Sequence, residues 1–270
     1  RGGRAGGGGG PGRSGQAADP APLSRAVCGR WLRDRSLLYE EARKVWNLAY
    51  ERRPLAMVRC DGVDDVRRCV EFARRHAVPI AIRGGGHSYA GFGVADGALQ
   101  IDLSAFNTVT VDTDRRMASV GGGTRIKELL AAILAVGLHT PMGSCGDVGV
   151  AGLALAGGDT SPRGLFGTAC DNVVGAQLVT ADGDVFELGA DRSADLFWAI
   201  RGAGGIFGVV TQVDSRLHPL TTQHRASDPL GETERQGAET PARSLSTARP
   251  VPGGPAVNAR QDSPASTRAG

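Results

Sequence analysis

Side chains able to build a hydrophobic core are confined to the middle of this 270-residue chain. Residues 1–22 contain no branched aliphatic or aromatic side chain, and no aromatic residue follows Phe207. Segments of that composition bury too little apolar surface to offset the entropy lost on folding. We therefore expect disorder over residues 1–36, a folded domain over residues 37–220, and a disordered or aberrant tail over residues 221–270. The middle part, about 180 residues, is ample for a core.

Charge and cysteine content argue against several classes of protein. The net charge is +3 and no Lys/Arg cluster is interleaved with aromatic residues, so a nucleic-acid partner is not indicated. The longest apolar stretch, VGVAGLALAGG, is too short and too rich in Gly and Ala to span a bilayer. Five cysteines without a C-x-x-C pair indicate neither a zinc site nor a complete disulfide framework. We expect no signal peptide in this sequence, and its compartment stays open.

Helical and β-like patterns are mixed along the middle of the chain. Apolar residues at helical spacing predict helices over residues 64–77, 124–136 and 193–200, the second capped by Thr124. Other apolar or alternating runs predict strands over 78–83, 98–104 and 208–217, and hairpins over 108–120 and 173–188. Because these elements do not repeat as βαβ units, the pattern favours an α+β fold over a doubly wound sheet.

A glycine-rich loop, RGGGHSYAG, begins where the predicted strand 78–83 ends. Glycines allow backbone N–H groups to approach a phosphate and to form an anion-binding nest. Arg83 and Ser88 also suit phosphate oxygens. Two further clusters, Gly121 to Gly123 and GAGGIFG at 202–208, invite the same interpretation, although tight turns explain an isolated cluster more often. None follows the G-x-G-x-x-G dinucleotide pattern, so a nicotinamide dehydrogenase is the weaker hypothesis.

Two potential nucleophiles lie in such loops. His87 follows the first glycine cluster, and Cys145 lies in PMGSCGDVGVAGL. A neutral imidazole and a deprotonated thiol are both competent nucleophiles near neutral pH. Taken singly, however, such a histidine is more often a satisfied surface residue, and such a cysteine is more often a buried thiol.

The order of the motifs resembles a known family. The motifs are RGGGHSYAG, IDLSAFNTVTVD, VGGGT, GSCGDVGVAGLAL, CDNVVGAQLVTADGDV, DLFWAIRGAGGIFGVVT and RLHP. Together, over about residues 40–220, they are similar to the flavin-linked oxidases of the berberine bridge enzyme and oligosaccharide oxidase group, within the vanillyl-alcohol oxidase superfamily. The resemblance implies a PCMH-type FAD-binding domain of two α+β subdomains, without a recognisable substrate domain.

The resemblance also implies the residues that hold the cofactor. The loop Arg83, Gly84, Gly85, Gly86, His87 and Ser88 would cradle the pyrophosphate of FAD. His87 would bond covalently to the 8α carbon of the flavin, and Cys145 would add a second bond at C6. Seven further positions would line the flavin or support its loops, namely Gly143, Ser144, Val148, Gly149, Gly152, Asp171 and Val210. Small residues needed only for packing would give the same sequence pattern at these seven positions.

The chain departs from the family pattern in two places. Ala156 stands where relatives have a glycine, and Asp159, Thr160 and Pro162 change the segment that follows. After RLHP, relatives continue into a substrate domain built on an antiparallel sheet, and no such continuation is recognisable here. The general base that this domain supplies is therefore not assigned, and we expect a truncated or frame-altered chain.

The leading hypothesis is an FAD-dependent oxidoreductase that transfers hydride from an alcohol or sugar-type small molecule to covalently bound flavin, with dioxygen as the electron acceptor. One alternative is a non-catalytic flavin-binding fragment that lacks a substrate domain. Another is a fragment that binds no flavin and does not fold stably, since unfilled glycine-rich loops contribute little core. The motifs predict no metal, membrane or nucleic-acid partner.

Overall fold

The computed structural model describes residues 19–33, 36–160 and 163–220. In these residues the helices are α1 (Ala21–Ala26), α2 (Leu37–Ala42), α3 (Val63–His76), α4 (Ile126–Leu134), α5 (Val150–Leu155), α6 (Arg163–Phe166) and α7 (Ala194–Ala203). The strands are β1 (Arg30–Leu32), β2 (Ala56–Arg59), β3 (Ile80–Arg83), β4 (Leu99–Asp102), β5 (Val109–Asp112), β6 (Met117–Gly121), β7 (Leu138–His139), β8 (Val173–Val179), β9 (Val185–Gly189), β10 (Val209–Arg216) and β11 (His218–Pro219). This mixture confirms the α+β prediction.

The first sheet places the glycine loop at the carboxyl end of parallel strands. Its order is β1-β2-β4-β3, with β2, β4 and β3 parallel and β1 antiparallel to β2. Strands β3 and β4 stay in register up to Arg83 opposite Asp102, and the segment from Gly84 leaves the sheet there. Helix α3 shares one buried core with this sheet, through Val66, Cys69, Val70 and Ala73 from the helix and Leu99 and Ile101 from β4. The strand that leads to His87 is therefore firmly anchored.

The second sheet is antiparallel, in the order β5-β6-β10-β8-β9. Both predicted hairpins are confirmed, because β5 pairs with β6 and β8 pairs with β9. Helices α4, α5 and α7 belong to the same core as this sheet, through Ile126, Leu129, Ile133, Val150, Ala154, Phe197 and Ile200. Cys145 lies between β7 and α5, beside this second core. His87 thus follows a strand of the first sheet, whereas Cys145 lies in a loop between α5 and β7, which pairs with β11.

The predicted boundary at residue 37 is wrong, because α1 and β1 lie before it. Leu23 of α1 is buried in the core of the first sheet, and β1 pairs with β2. The carboxylate of Asp65 on α3 accepts hydrogen bonds from the N–H groups of Cys28 and Gly29, each at 2.8 Å. Two buried leucines, Leu23 and Leu32, together with backbone pairing, order this segment. Residues 1–18 and 221–270 lie outside the described residues, so the disorder expected there stays a prediction.

The starts of α4 and α5 also differ from the sequence interpretation. The residue before the first helical turn of α4 is Arg125 rather than Thr124, and its N–H donates to the Glu128 carboxylate at 2.8 Å. The Thr124 hydroxyl donates instead to the carbonyl of Phe106 at 3.4 Å. Helix α5 forms within the apolar stretch 148–158, which the sequence pattern did not assign to a helix. In the part of the chain that the structure describes, no helix has the length and apolar character needed to cross a membrane.

Candidate functional site

Three glycine-rich segments pack against each other, backbone to backbone. A Cβ atom placed on Gly84 would lie 2.8 Å from the carbonyl oxygen of Gly122, and one on Gly85 would lie 2.7 Å from Cα of Gly149. Real Cβ atoms do not approach backbone so closely, so these positions require glycine. The segments after β3, after β6 and before α5 therefore converge at one place. A fourth segment, 202–208, lies near β3, because a Cβ on Gly205 would be 3.3 Å from Cδ1 of Ile82.

His87 and Cys145, 58 residues apart in the chain, meet beside these glycines. Sγ of Cys145 lies 3.7 Å from Nε2 of His87. The histidine is half-buried and the cysteine is exposed, so both groups are open to a ligand. Within the described ranges no group of three or more His, Cys, Asp or Glu residues is arranged to hold a metal ion. The arrangement is a pair of adjacent nucleophiles, one from the loop after the first sheet and one beside the core of the second.

Trp46 is a member of this site that the sequence interpretation missed. Its ring stacks on the His87 imidazole with centroids 4.6 Å apart and planes inclined by 22°. Its backbone N–H donates to the carbonyl of Gly86 at 3.0 Å, and its indole meets the ring of Tyr89 edge-on at 5.2 Å. An exposed tryptophan in the segment VWNLAY was the only sequence signal, because the stacking joins residues far apart in the chain.

The polar residues of the glycine loop shape the loop itself. The Arg83 guanidinium donates from Nη1 to the carbonyl of Ala42, and burial lowers the pKa of Arg83 from its ordinary value. Gly86 adopts φ +70°, and a Cβ there would lie 3.0 Å from Nε of Arg83. The carbonyl of Ser88 accepts from the N–H of Gly91 at 3.1 Å, which closes the following turn. The phosphate-binding potential of this loop therefore lies in its glycine backbone, while the Arg83 side chain braces the segment.

The turn that carries Cys145 is fixed to the start of α4. The Val148 N–H donates to the carbonyl of Cys145 at 3.2 Å, and the Val148 carbonyl accepts from Ile126 at 2.9 Å. The Asp147 carboxylate pairs with Lys127 at 2.8 Å and Arg125 at 3.1 Å. Hydrogen bonding to Lys127, aided by Arg125, holds the pKa of Asp147 below its ordinary value. These bonds give the exposed thiol a defined position.

The remaining predicted positions have different surroundings. Gly143 is half-buried, near Ile126 and Leu153, and the neighbouring Ser144 is exposed. Gly149 precedes α5, and Gly152 is exposed on that helix with nothing within 4 Å of a Cβ built there.

Asp171 and Val210 are placed as structural residues. The Asp171 carboxylate accepts from N and Oγ1 of Thr168, both at 2.8 Å, and these bonds lower the pKa of Asp171. The Val210 side chain is buried in the second core, and its carbonyl oxygen would lie 2.5 Å from a Cβ on Gly122. Asp171 therefore closes a turn, and Val210 holds the second glycine segment in place. In the altered segment, Asp159 is exposed, and Pro162 lies outside the described residues.

The arrangement fits FAD by three observations. The loop Gly84 to Gly86 follows the carboxyl end of β3 and carries no side chains, as a loop whose backbone N–H groups bind a pyrophosphate requires. Two nucleophiles of different types lie 3.7 Å apart at the same place. Gly152, one of the positions expected to line the flavin or to support its loops, is exposed and leaves the surface of α5 open. The donor set suits covalent attachment to carbon rather than coordination of a metal ion.

Comparison with known proteins agrees with this geometry. The family model described as FAD binding domain matches residues 54–189. The chain is 37% identical over 182 residues to the (R)-6-hydroxynicotine oxidase of Paenarthrobacter nicotinovorans, covering 67% of this chain and 40% of that protein. The structure of BBE-like 1 from Physcomitrella patens superposes with a TM-score of 0.72 at 34% identity, covering 75% of this chain and 45% of that one.

A second solved structure bears directly on the nucleophile pair. The glucooligosaccharide oxidase from Acremonium strictum superposes with a TM-score of 0.70 at 30% identity, covering 74% of this chain and 42% of that one. That protein is described as carrying a 6-S-cysteinyl, 8α-N1-histidyl FAD. The present chain spans less than half the length of each of these relatives. The similarities confirm the fold class and family predicted from the motif order. The chain belongs to the FAD binding domain family, among the FAD-linked oxidases of the berberine bridge enzyme and oligosaccharide oxidase group.

Proposed function

We propose that this chain is the flavin-carrying part of an FAD-dependent oxidoreductase, with FAD bonded to both His87 and Cys145. The observation that carries the proposal is the 3.7 Å approach of His87 Nε2 to Cys145 Sγ. The 8α carbon and C6 belong to the same ring system of the isoalloxazine, so bonds to both require neighbouring nucleophiles. The glycine loop Gly84 to Gly86 would receive the phosphates of the same molecule.

Attachment at each residue is an oxidative substitution. At His87 an N–H bond and a flavin C–H bond are replaced by one C–N bond. At Cys145 an S–H bond and a flavin C–H bond are replaced by one C–S bond. Each step releases two protons and two electrons, and dioxygen accepts the electrons. The residues contribute an imidazole nitrogen and a thiol sulfur, held in place by their loops.

The proposed reaction is oxidation of an alcohol or sugar-type small molecule. FAD, when bound, supplies a hydride acceptor for the substrate C–H bond and passes the electrons on to dioxygen. The chain's own contribution is to hold the ring through two side chains and to leave its surroundings open at Gly152. The similarity to an oligosaccharide oxidase supports the sugar class. No described residue is proposed as the general base.

Peptide mapping of the full chain tests the covalent proposal. Trypsin separates residues 84–115, which contain His87, from residues 128–163, which contain Cys145. One FAD bonded to both residues would join these two peptides in a single species of their summed mass plus one flavin. The variants His87→Ala and Cys145→Ala should each give one flavin-bearing peptide and no joined pair. Cys28→Ala removes another exposed thiol and should leave the joined pair intact. A wild-type chain with flavin on neither peptide would refute the proposal.

A second candidate function is flavin binding without catalysis. The observation that favours it is that the described residues bring His87 and Cys145 together, whereas none of them is assigned as a general base. Anaerobic mixing of the flavin-loaded chain with alcohols, sugars and cyclic amines separates the two candidates. Bleaching of the flavin absorbance by one donor, followed by peroxide formation on admission of air, supports the oxidoreductase. Loaded protein that no donor bleaches supports the binding fragment.

A further inference from the structure

Residues 42–50 hold the histidine loop along its length, and we call them the clasp segment. Four contacts join the clasp segment to the loop. The first is a hydrogen bond from Arg83 to the Ala42 carbonyl, and the second runs from the Trp46 N–H to the Gly86 carbonyl at 3.0 Å. In the third, Asn47 Nδ2 donates to the Tyr89 carbonyl at 2.7 Å, and in the fourth the Tyr50 ring lies against Gly91. The contacts occur in the same order along both segments. The clasp segment therefore runs alongside the histidine loop in the same direction.

Trp46 is the part of the clasp segment that touches a candidate nucleophile. Its side chain is 54% exposed, so it is not a core residue. Its ring lies 4.6 Å from the His87 imidazole and nearly parallel to it. The histidine χ2 angle has broad energy wells, so the backbone alone does not fix the plane of the ring. Stacking on the indole fixes that plane, and the edge-on contact with Tyr89 limits the movement of the indole itself.

The free edge of the same imidazole faces the second nucleophile, since Nε2 lies 3.7 Å from Cys145 Sγ. We infer that Trp46 is a positioning residue for flavin attachment: it orients the His87 ring so that a ring nitrogen is presented to the 8α carbon. The inference rests on the proposed function. Cys145 is held independently, through the bonds of its turn to α4. Loss of the indole should therefore slow attachment at His87 and spare attachment at Cys145.

The test measures attachment rates in the full chain. Flavin-free protein from flavin-starved cells is mixed with FAD in air, and flavin on peptides 84–115 and 128–163 is quantified over time. Trp46→Leu should slow attachment to the His87 peptide about tenfold or more, because orientation of reacting groups controls such rates. Trp46→Phe retains a stacking ring and should recover most of the rate. Trp198→Leu removes another exposed tryptophan, 74% exposed on α7, and should match the wild type.

A second readout does not involve flavin. In the flavin-free wild type, the ring current of Trp46 should shift the His87 imidazole proton resonances, and Trp46→Leu should abolish that shift while Trp198→Leu keeps it. If Trp46→Leu does not unfold cooperatively, Trp46→Met is judged by the same criteria.

The outcomes separate the two proposals. Wild-type attachment kinetics at His87 in a folded Trp46→Leu variant, with the ring-current shift lost, would overturn the positioning role and leave the covalent proposal standing. A wild type that takes no flavin on either peptide would refute the covalent proposal and the inference together. Slowing of attachment at Cys145 to the same degree as at His87 would also overturn the inference, because it would mean that Trp46 affects binding of the whole cofactor.

Discussion

The cysteines of this domain differ in reactivity because they differ in burial. Cys145 and Cys28 are exposed, whereas Cys60 and Cys69 are fully buried in the core of the first sheet. The hydrogen bond that the Cys60 thiol shares with Cys69, together with burial, raises the pKa of Cys60 far above its ordinary value. Since the thiolate is the reactive form, Cys60 is chemically inert in the folded protein, and burial shields Cys69 from reagents in solution. The cysteine of the candidate attachment site, Cys145, is exposed instead.

Alkylation of the native, flavin-free chain should reflect this difference. With iodoacetamide at pH 8, we expect Cys28 and Cys145 to react at least about tenfold faster than Cys60 and Cys69, because burial blocks the reagent at both buried thiols and raises the pKa of Cys60. Mass spectrometry of the peptides measures the four rates. Loading with FAD should then protect Cys145 and leave Cys28 reactive. Equal labelling of Cys145 before and after loading would contradict its role in attachment.

Helix α5 connects packing with the site at the level of elements. Gly149, which precedes α5, lies against Gly85 of the histidine loop, and Gly152 one turn later is open to solvent. Gly85 and Gly152 are therefore required for different reasons. Gly85 is needed because backbone occupies the space of a side chain. Under the proposed function, Gly152 is needed because the cofactor would occupy the space that a side chain would fill at this position.

Alanine substitutions separate these two reasons. Gly85→Ala should lower the free energy of unfolding by about 1–3 kcal/mol through overpacking, since its Cβ would lie 2.7 Å from Cα of Gly149. Gly152→Ala should raise the free energy of unfolding of the flavin-free protein by about 0.5–1 kcal/mol, the gain expected in a helix interior. Urea denaturation measures both changes. The same Gly152→Ala variant should take up FAD more weakly, and unchanged uptake would show that α5 does not face the cofactor at this position.

At the scale of the whole molecule, the site joins two sheets that have separate cores. His87 follows β3 of the first sheet, and Cys145 is held by α4, which packs in the core of the second. A molecule bonded to both residues would therefore cross-link the two subdomains. Both sheets belong to one compact unit of the chain, so this linkage should act on global stability.

FAD should accordingly stabilise the chain even without covalent bonds. In the double variant His87→Ala/Cys145→Ala, Tm should rise with FAD concentration, and the stabilisation should reach about 2.7 kcal/mol at a hundredfold excess over Kd. Differential scanning fluorimetry or calorimetry measures the shift. Riboflavin lacks the phosphates that the glycine backbones would bind, so it should give a smaller shift at equal concentration. A Tm independent of FAD would mean that the described chain does not form the binding site.

Local patterns predicted the elements that depend on nearby residues. The helix Val63–His76 follows from apolar side chains at helical spacing, and the hairpin β8–β9 follows from two apolar runs around Asp182 and Gly183. These features depend on periodicity and turn chemistry, which neighbours in the chain determine. The order of the glycine motifs predicted the family, the fold class and the candidate residues His87 and Cys145.

What the sequence by itself determined is therefore the longer helices and strands with a clear periodic pattern, the family, and the chemical groups available to the site. Only the tertiary structure decided that segment 21–32 is ordered, that Arg83 braces Ala42, and that Trp46 stacks on His87. The physical reason is the distance along the chain over which these contacts act. Trp46 and His87 come together only when β2, α3 and β3, which lie between them in the chain, have folded. An exposed aromatic residue is not part of a periodic apolar pattern, so the sequence could not predict this contact.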